Sequence, residues 1–584
     1  MKAKKRRNGK PEVASAARRE FPWVWVGASA AALCVVFWAY GPALRGEFLF
    51  DDANLPFAQN NFNPPLSLML SGARKLLMLS YWVNARISQD DPFSYHATGV
   101  LIHAISAALV FLIVRKLLEW SQSAVEWRDW LAGFAAALFL LHPAQTEAVA
   151  YIAGRSEALS AMFFFAAFTV FLYRRAAEIR WIESALVLLL FLAALLSKEQ
   201  TMVLPALLLL TDYWWNPGFS IAGIRRNWRV YVPLAVGAVL GLAVIWRVIQ
   251  TAETAGFQLK DFTWYQYFFT QCRALFVYMG IFLFPFRLNA DWNFPISYTV
   301  LQHGAIVGLL AMVSMAVVAW HFRRRLPLAT FGFLTYLVLM APTSSILPIQ
   351  DAVAERRLYF SMLGLLLIVV DLVSRIKVDR RKLAYAGAAV LLVATIATHA
   401  RADVWSGPVQ LWEDTVAKSP DKFRARFQLG YAYYLGQRYD AAVAQFQKAA
   451  LLPARATVEK VNLLVDWGLA LEGAGHWNEG IEKLREAAAI EPTAHIYSQI
   501  GMIYAKNDQY PPALEALDHA QTLDSGFTMT YIYRGQIFEK MNNPAAAWKE
   551  FQKALQLDPN NPANDQVRQE LQRLRMILPA GQGR

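Results

Sequence analysis

Cysteine is nearly missing from this chain. Its 584 residues include only Cys34 and Cys272, each inside an apolar run, and that excludes a disulfide scaffold. Charge is scarce too: Asp, Glu, Lys and Arg make up 17% of the residues, against about 25% in a soluble globular chain. A Gly-rich phosphate loop following a strand is absent, as is any strand-like alternation, which disfavours a soluble nucleotide-sugar enzyme. What the chain has instead is apolar bulk, 56% hydrophobic and 14% aromatic. That composition is incompatible with a solvated, disordered chain.

Acidic residues are the scarcer charge, leaving a formal net charge of +13. The excess is unevenly placed. Residues 1–402 hold 38 Lys/Arg against 23 Asp/Glu, whereas 403–584 hold 19 against 21. A soluble nucleic-acid binder carries its basic excess on a solvated domain. Here the excess lies between apolar segments, so nucleic acid is not an expected partner.

Runs near the length of about 20 mostly apolar residues that a spanning helix needs lie near 22–43, 95–114, 130–150, 158–173, 182–197, 200–215, 230–249, 300–320, 327–341, 358–374 and 383–400. The first follows a basic segment, 1–21, and has no clean cleavage site, so it reads as an uncleaved anchor. The stretch 264–286 is split by Arg273, leaving only Ala274–Phe286 uninterrupted, the length of a re-entrant or interfacial segment. If it does not cross, there are eleven spans. The basic N-terminus, Arg115/Lys116/Arg128, Arg174/Arg175/Arg180, Arg225/Arg226/Arg229, Arg323–Arg325 and Arg375–Lys382 then share one side. The positive-inside rule makes that side cytoplasmic. The expected layout is a cytoplasmic N-terminus (1–21), a polytopic transmembrane helical bundle (22–402) with its first outer loop at 44–94, and an extracytoplasmic region from 403 to 580.

That last region is a repeat array. Gly430, Gly468, Gly501 and Gly535 open similar units. A small residue recurs twelve positions on (Ala442, Gly480, Ala513, Ala547), and Phe446, Leu484, Leu517 or Phe551 recurs sixteen on. This is the tetratricopeptide pattern, in which small residues let two antiparallel helices approach and large ones fill between them. Four units are enough to bury a continuous core. The predicted fold class is therefore all-α, a membrane bundle followed by an α-solenoid, and such an array is a docking module far more often than a catalytic one.

With eleven spans, the unusual polar residues of the membrane half fall on the outer side. They are Asp51-Asp52 after Phe48-Leu-Phe; His96 and His103, seven apart on one helix face; His142-Pro143 and Glu147; Gly154-Arg155 and Glu157; the Lys198-Glu199 turn; Asp291-Trp292; and Ala354-Glu355-Arg356-Arg357-Leu-Tyr359. Ionisable residues at membrane depth are costly and tend to face a cavity or each other. Paired carboxylates can take a proton from a hydroxyl or bind a divalent cation, although most Asp-Asp pairs merely cap or face solvent. Arginine and lysine suit a phosphate, against the plainer reading of ion pairs with the adjacent glutamates. The histidines read equally well as hydrogen-bonding core residues. More oxygen ligands than Asp51 and Asp52 would be needed for a metal, so metal use stays open.

These motifs (FxFDD in the first outer loop, HxxxxxxH, FxxHPxxTExVxxxxGRxExL, the KE turn, DWxFP and AERRLY, then the repeats) resemble the transmembrane and tetratricopeptide-repeat O-mannosyltransferases over essentially the whole chain. The resemblance implies a GT-C glycosyltransferase fold and a polyprenyl-phosphate sugar donor. It implies Asp51 as the catalytic carboxylate with Asp52 its partner. Arg356, with Arg357, Arg155 or Lys198, would hold the lipid phosphate. His96, His103, His142, Glu147, Glu199, Asp291, Glu355 and Tyr359 would be further residues of the outer cavity. Four repeats are fewer than animal members carry, which suits a prokaryotic member in a bacterial inner membrane with periplasmic repeats; a eukaryotic member would place them in the endoplasmic reticulum lumen.

The expected function is inverting transfer of mannose or another hexose from the lipid carrier to a hydroxyl of a protein or peptide docked on the repeats. Two other classes compete. A membrane-anchored scaffold for envelope assembly explains the repeats but not the outer polar set. A lipid-linked glycan transporter or polymerase should place ionisable groups near the bilayer midplane in internal repeats, and neither is evident.

Overall fold

The computed structural model describes residues 23–59, 62–122, 126–251, 256–257, 261–559 and 564–577. The basic N-terminal segment lies outside them. All regular structure among the described residues is helical, as the composition predicts.

Five helices are long and apolar enough to cross a membrane: Pro92–Trp120, Arg155–Leu172, Gln302–Phe322, Glu355–Ser374 and Arg380–Val404. A sixth arises if Val26–Ala39 and Gly41–Asn54, bent by 63°, count as one. Eleven spans were expected; the difference lies in helix length, because Trp181–Leu195, Trp228–Val239 and Pro327–Met340 are apolar but short. The longest helix, Pro92–Trp120, extends for about 43 Å at 1.5 Å per residue. It starts on Pro92 behind an Asp91 cap, whose carboxylate accepts from the Phe93 N–H at 3.0 Å. Helices Pro327–Met340 and Leu358–Ser374 approach with backbone in contact: a Cβ on Gly332 would lie 2.6 Å from the Gly364 carbonyl oxygen. No larger residue fits that crossing.

Connections sort to two opposite ends of the bundle. At one end Arg115 pairs with Asp129 at 2.8 Å, Arg174 with Asp212 at 3.0 Å, Arg375 with Asp371 at 2.8 Å, and Arg380 with Glu126. The Trp214 indole donates to the Pro327 carbonyl across two of these connections. At the other end the first long loop meets the segment after residue 150, Leu76 N–H bonds Leu196 O at 3.1 Å, and Glu47 N–H bonds Ser406 O at 3.3 Å. The basic clusters among the described residues thus lie together, apart from the polar motifs.

The awkward stretch 264–286 forms an uninterrupted helix, Trp264–Leu283. Arg273 does not break it, because its guanidinium leaves the helix to stack on Phe294 and donate to Pro295 O and Ser297 Oγ. Along its length Tyr267 donates to Thr343 O, Gln271 donates to Ala352 O, Tyr278 accepts from the Ala354 N–H and Phe282 O bonds His142. All of these partners belong to the polar-motif end, so the helix lies along that end.

Four helix pairs follow, from Phe423–Leu435 with Tyr439–Ala450 to Thr528–Lys540 with Pro544–Leu557, preceded by Pro408–Lys418 and capped by Asn564–Ile577. The sequence landmarks explain the pairing. A Cβ on Gly430 would lie 2.6 Å from the Phe446 ring, and one on Gly535 would lie 2.5 Å from the Phe551 ring. The glycine of each unit is the seat of the large residue sixteen positions later.

Candidate active site

The turn Phe50–Asn54 presents the two aspartates with opposite fates. Phe50 is held at φ 47°, a left-handed conformation that costs a bulky residue energy and persists only where surroundings enforce it. Asp52 is part of the enforcement. It is 1% exposed; one carboxylate oxygen accepts from the Leu49 N–H at 2.9 Å and the other from the Ala153 N–H at 2.8 Å. Asp51 is exposed, and its backbone N–H donates to the Tyr151 hydroxyl at 3.0 Å. Among the described residues its carboxylate has no hydrogen-bonding partner. Asp52 therefore fastens the loop to the Ala153 turn, and Asp51 is the carboxylate left available to a proton or a cation.

Basic groups from three other segments share this end. Arg356 donates its backbone N–H to Glu147 Oε2 at 2.8 Å and its guanidinium to Glu147 Oε1, yet its side chain stays 34% exposed. Tyr151 lies in the electrostatic range of Asp51, Asp52 and Arg356 together. Lys198 bonds the buried Glu157, which also accepts from Gln200. Burial pushes Lys198 below the usual lysine range, and Arg74 and Arg356 push it the same way, while Glu157 opposes them. Glu199 turns away to a bidentate pair with Arg74, at 3.0 and 2.9 Å; that pair holds its carboxyl below the ordinary value although burial works against it.

Several expected cavity residues lie inside instead. Arg155 is 1% exposed, its guanidinium donating to Asn84 Oδ1 at 2.7 Å and Tyr95 O at 2.8 Å while stacking over Tyr81. Arg357 donates to Tyr267 Oη at 3.2 Å and Ala352 O at 3.0 Å. Neither guanidinium opens toward Asp51. The three histidines are buried packing residues: His96 meets Gly46 O at 3.3 Å, His103 bridges the Tyr359 hydroxyl and Leu140 O, and His142 bridges Phe282 O and the Ala144 N–H. Tyr359 is fully buried with His103. Among the described residues, no three His, Cys, Asp or Glu side chains gather as a metal site.

Asp291 and Glu355 form the seam with the repeat region. Asp291 is buried between Lys422 and Arg424, and Arg424 also reaches Asp351 at 2.8 Å. Burial would raise Asp351, but the charges of Arg424, Lys422 and Arg356 hold its carboxyl down at about 2. Glu355, 0% exposed, accepts from the Asn289 N–H and from the Trp292 indole at 3.3 Å, and faces Arg401 at 3.6 Å; Arg401 in turn pairs with Asp414 at 2.7 Å. The motif reading missed Tyr151, Arg74, Asp351, Arg401, Lys422 and Arg424. Tyr151, inside the motif that runs from Phe139 to Leu159, Arg74, in the first outer loop, and Asp351, three residues before the AERRLY motif, carried a positional signal; Arg401, Lys422 and Arg424 carried none.

Two tetratricopeptide-repeat family models match the chain, over residues 409–457 and 530–561. Among curated proteins the chain is similar to protein O-mannosyl-transferase TMTC3 of Homo sapiens, 23% identical over 90% of this chain and 64% of that protein. It is also similar to protein O-mannosyl-transferase Tmtc3 of Drosophila melanogaster, 24% identical over 81% of this chain and 59% of that protein. A shorter match, 33% identical over 24% of this chain and 16% of the relative, is to protein O-mannosyl-transferase TMTC1 of Mus musculus. The chain thus spans less than two thirds of the length of these relatives. Among solved structures, MamA is 21% identical over 26% of this chain and 86% of that chain, with a TM-score of 0.23. The chain is a homologue of proteins named O-mannosyl-transferases and bears tetratricopeptide repeats, as its motifs suggest.

Proposed function

We propose that the protein transfers a hexose, mannose first among them, from a polyprenyl-phosphate carrier to a hydroxyl of a protein acceptor held by the repeats. The observation that carries this reading is the meeting of an exposed carboxylate, without a partner among the described residues, with partly exposed cations from distant segments: Asp51 beside Tyr151, which also lies in reach of Arg356, and Lys198 in reach of Arg356 in turn. The names of the relatives favour mannose and a protein acceptor.

In this mechanism Asp51 takes the proton of the acceptor hydroxyl as its oxygen attacks the anomeric carbon. The bond from that carbon to the phosphate oxygen breaks, and the lipid phosphate leaves with the electron pair. Arg356, with Lys198, stabilises the departing charge. A single displacement inverts the anomeric centre. Asp52 and Glu147 are positioning residues, the first for the Asp51 turn and the second for Arg356. Arg155 and Arg357 hold their turns from inside. A divalent cation, if required, would take Asp51 as its carboxylate ligand; chelation during turnover tests this. The reading places a membrane unit at 22–402 in a bacterial inner membrane, its basic end cytoplasmic, and the repeat unit at 403–580 in the periplasm.

The test is transfer by the purified full-length protein from polyprenyl-phosphate mannose to a Ser/Thr peptide, followed by mass spectrometry. Mannosylated peptide with inverted configuration is expected. Hydrolysis or no turnover by a folded, donor-binding protein would refute the reading.

A further inference from the structure

The repeat array contains a carboxylate that no side chain among the described residues answers. The first helices of successive units lie against one another, Phe423–Leu435 on Thr457–Gly473 and Ala494–Lys506 on Thr528–Lys540, so these helices line the inside of the curve. Two residues before each signature glycine stands one residue of an inner row: Gln428, Asp466, Gln499 and Tyr533. In the third and fourth units the row is self-satisfied, since Tyr533 bonds Gln499. In the second unit it is not. Asp466 is partly buried, and among the described residues it has no hydrogen-bond or ion-pair partner.

Its neighbours favour a cation. Tyr431, 37% exposed, and Tyr434 stack with ring centroids 6.3 Å apart, and both hydroxyls feel the charge of Asp466. No cationic side chain offsets the burial of Asp466, which raises its carboxyl to about 7. The nearby Glu472 is already paired with Lys506 at 3.0 Å. A carboxylate that is partly buried without a donor loses hydration it does not recover, and a tyrosine face attracts a cation. An ammonium or guanidinium satisfies both at once.

We propose that Asp466, Tyr431 and Tyr434 form a pocket for a lysine or arginine side chain of an extended acceptor segment lying along the inner face of the array. This deepens the acceptor-binding part of the proposed function and rests on it. The pocket selects acceptors by a basic residue at a fixed distance from the modified hydroxyl, a preference that the transfer chemistry itself does not require.

The test uses full-length protein in detergent and two fluorescein-labelled Ser/Thr/Gly peptides, one with a single central lysine and one with norleucine in its place. Fluorescence anisotropy should show the lysine peptide binding roughly tenfold more tightly. Asp466→Asn should bring it down to the affinity of the norleucine peptide, and Tyr431→Leu, at a half-exposed ring, should weaken the preference with little risk to folding. Equal binding of the two peptides by the wild-type protein, or a preference that survives Asp466→Asn, overturns the pocket. The same samples then receive polyprenyl-phosphate mannose. A lysine preference in binding without sugar transfer leaves the pocket standing and removes the transferase reading. Transfer to both peptides alike, whatever stands at 466, removes the pocket and leaves the transferase reading intact.

Discussion

The two ends of the membrane bundle are both rich in charge, yet they use it differently. At the basic end each carboxylate is answered nearby: Asp129 by Arg115, Asp212 by Arg174 and Asn227, Asp371 by Arg375 and the Ala329 N–H. These pairs tie connections together and leave little undone. At the other end the pairing is as dense, with Glu147 on Arg356 and Glu157 on Lys198, but among the described residues the carboxylate of Asp51 has no partner. A site is marked less by how many charges it gathers than by an open carboxylate on a turn its neighbours keep strained.

Four substitutions sharpen that contrast, in falling order of expected effect. Asp51→Asn should lower the rate of transfer by about 10²–10⁴, the usual contribution of a general base, while Asp212→Asn at the basic end leaves the turnover of the folded fraction unchanged. Initial rates on samples matched by thermal melting decide between them. Arg356→Ala should cost roughly 10- to 100-fold in kcat/KM for the donor, because it removes an exposed cation and strands buried Glu147. Equal kinetics in Arg356→Ala and the wild type would place the phosphate elsewhere. Asp52→Asn should destabilise the protein by about 1–3 kcal/mol, since one of two buried backbone N–H groups loses its acceptor. A fall in melting temperature with part of the activity retained fits its role; a loss of activity as deep as in Asp51→Asn at unchanged stability does not. Gly430→Val should cost about 1–3 kcal/mol by forcing the Phe446 ring aside. Its unfolding should begin in the repeats, seen as earlier proteolysis after residue 403.

The seam between membrane unit and repeats adds a pH expectation. Asp351 is held at about 2, below the ordinary aspartate value, so the stability it contributes is present above about pH 4 and is lost only as the pH falls toward 2. Asp351→Asn should erase that acid-side dependence in the docking of the repeats, measured by limited proteolysis across pH 2 to 6.

Much of this architecture was legible in the sequence, because local periodicity dictates it. The repeats were read from glycine spacing, and the structure supplies the reason: each glycine receives the phenylalanine ring or leucine side chain sixteen residues on. The grouping of the described basic connections was suggested by charge placement. The number of spans was less legible, because several apolar runs become helices shorter than a bilayer needs. Burial within the polar end was not legible at all. Arg155 and Arg356 stand in equally polar motifs, but which one points inward depends on Asn84 and Tyr95 in one case and Glu147 in the other, each distant in sequence. His103 likewise meets Tyr359 from 256 positions away. The interlocking of Asp291 with Lys422 and Arg424 joins a membrane loop to a repeat, and no spacing rule within either region points to it.

The central claim is that Asp51 removes the acceptor proton at the outer end of the bundle. Its most direct test is a single-turnover measurement of mannose transfer by full-length Asp51→Asn at saturating polyprenyl-phosphate mannose, with donor binding measured on the same sample. The account predicts wild-type donor binding and a rate at least about 10²-fold lower. A transfer rate within twofold of the wild type, with donor equally bound, would contradict it.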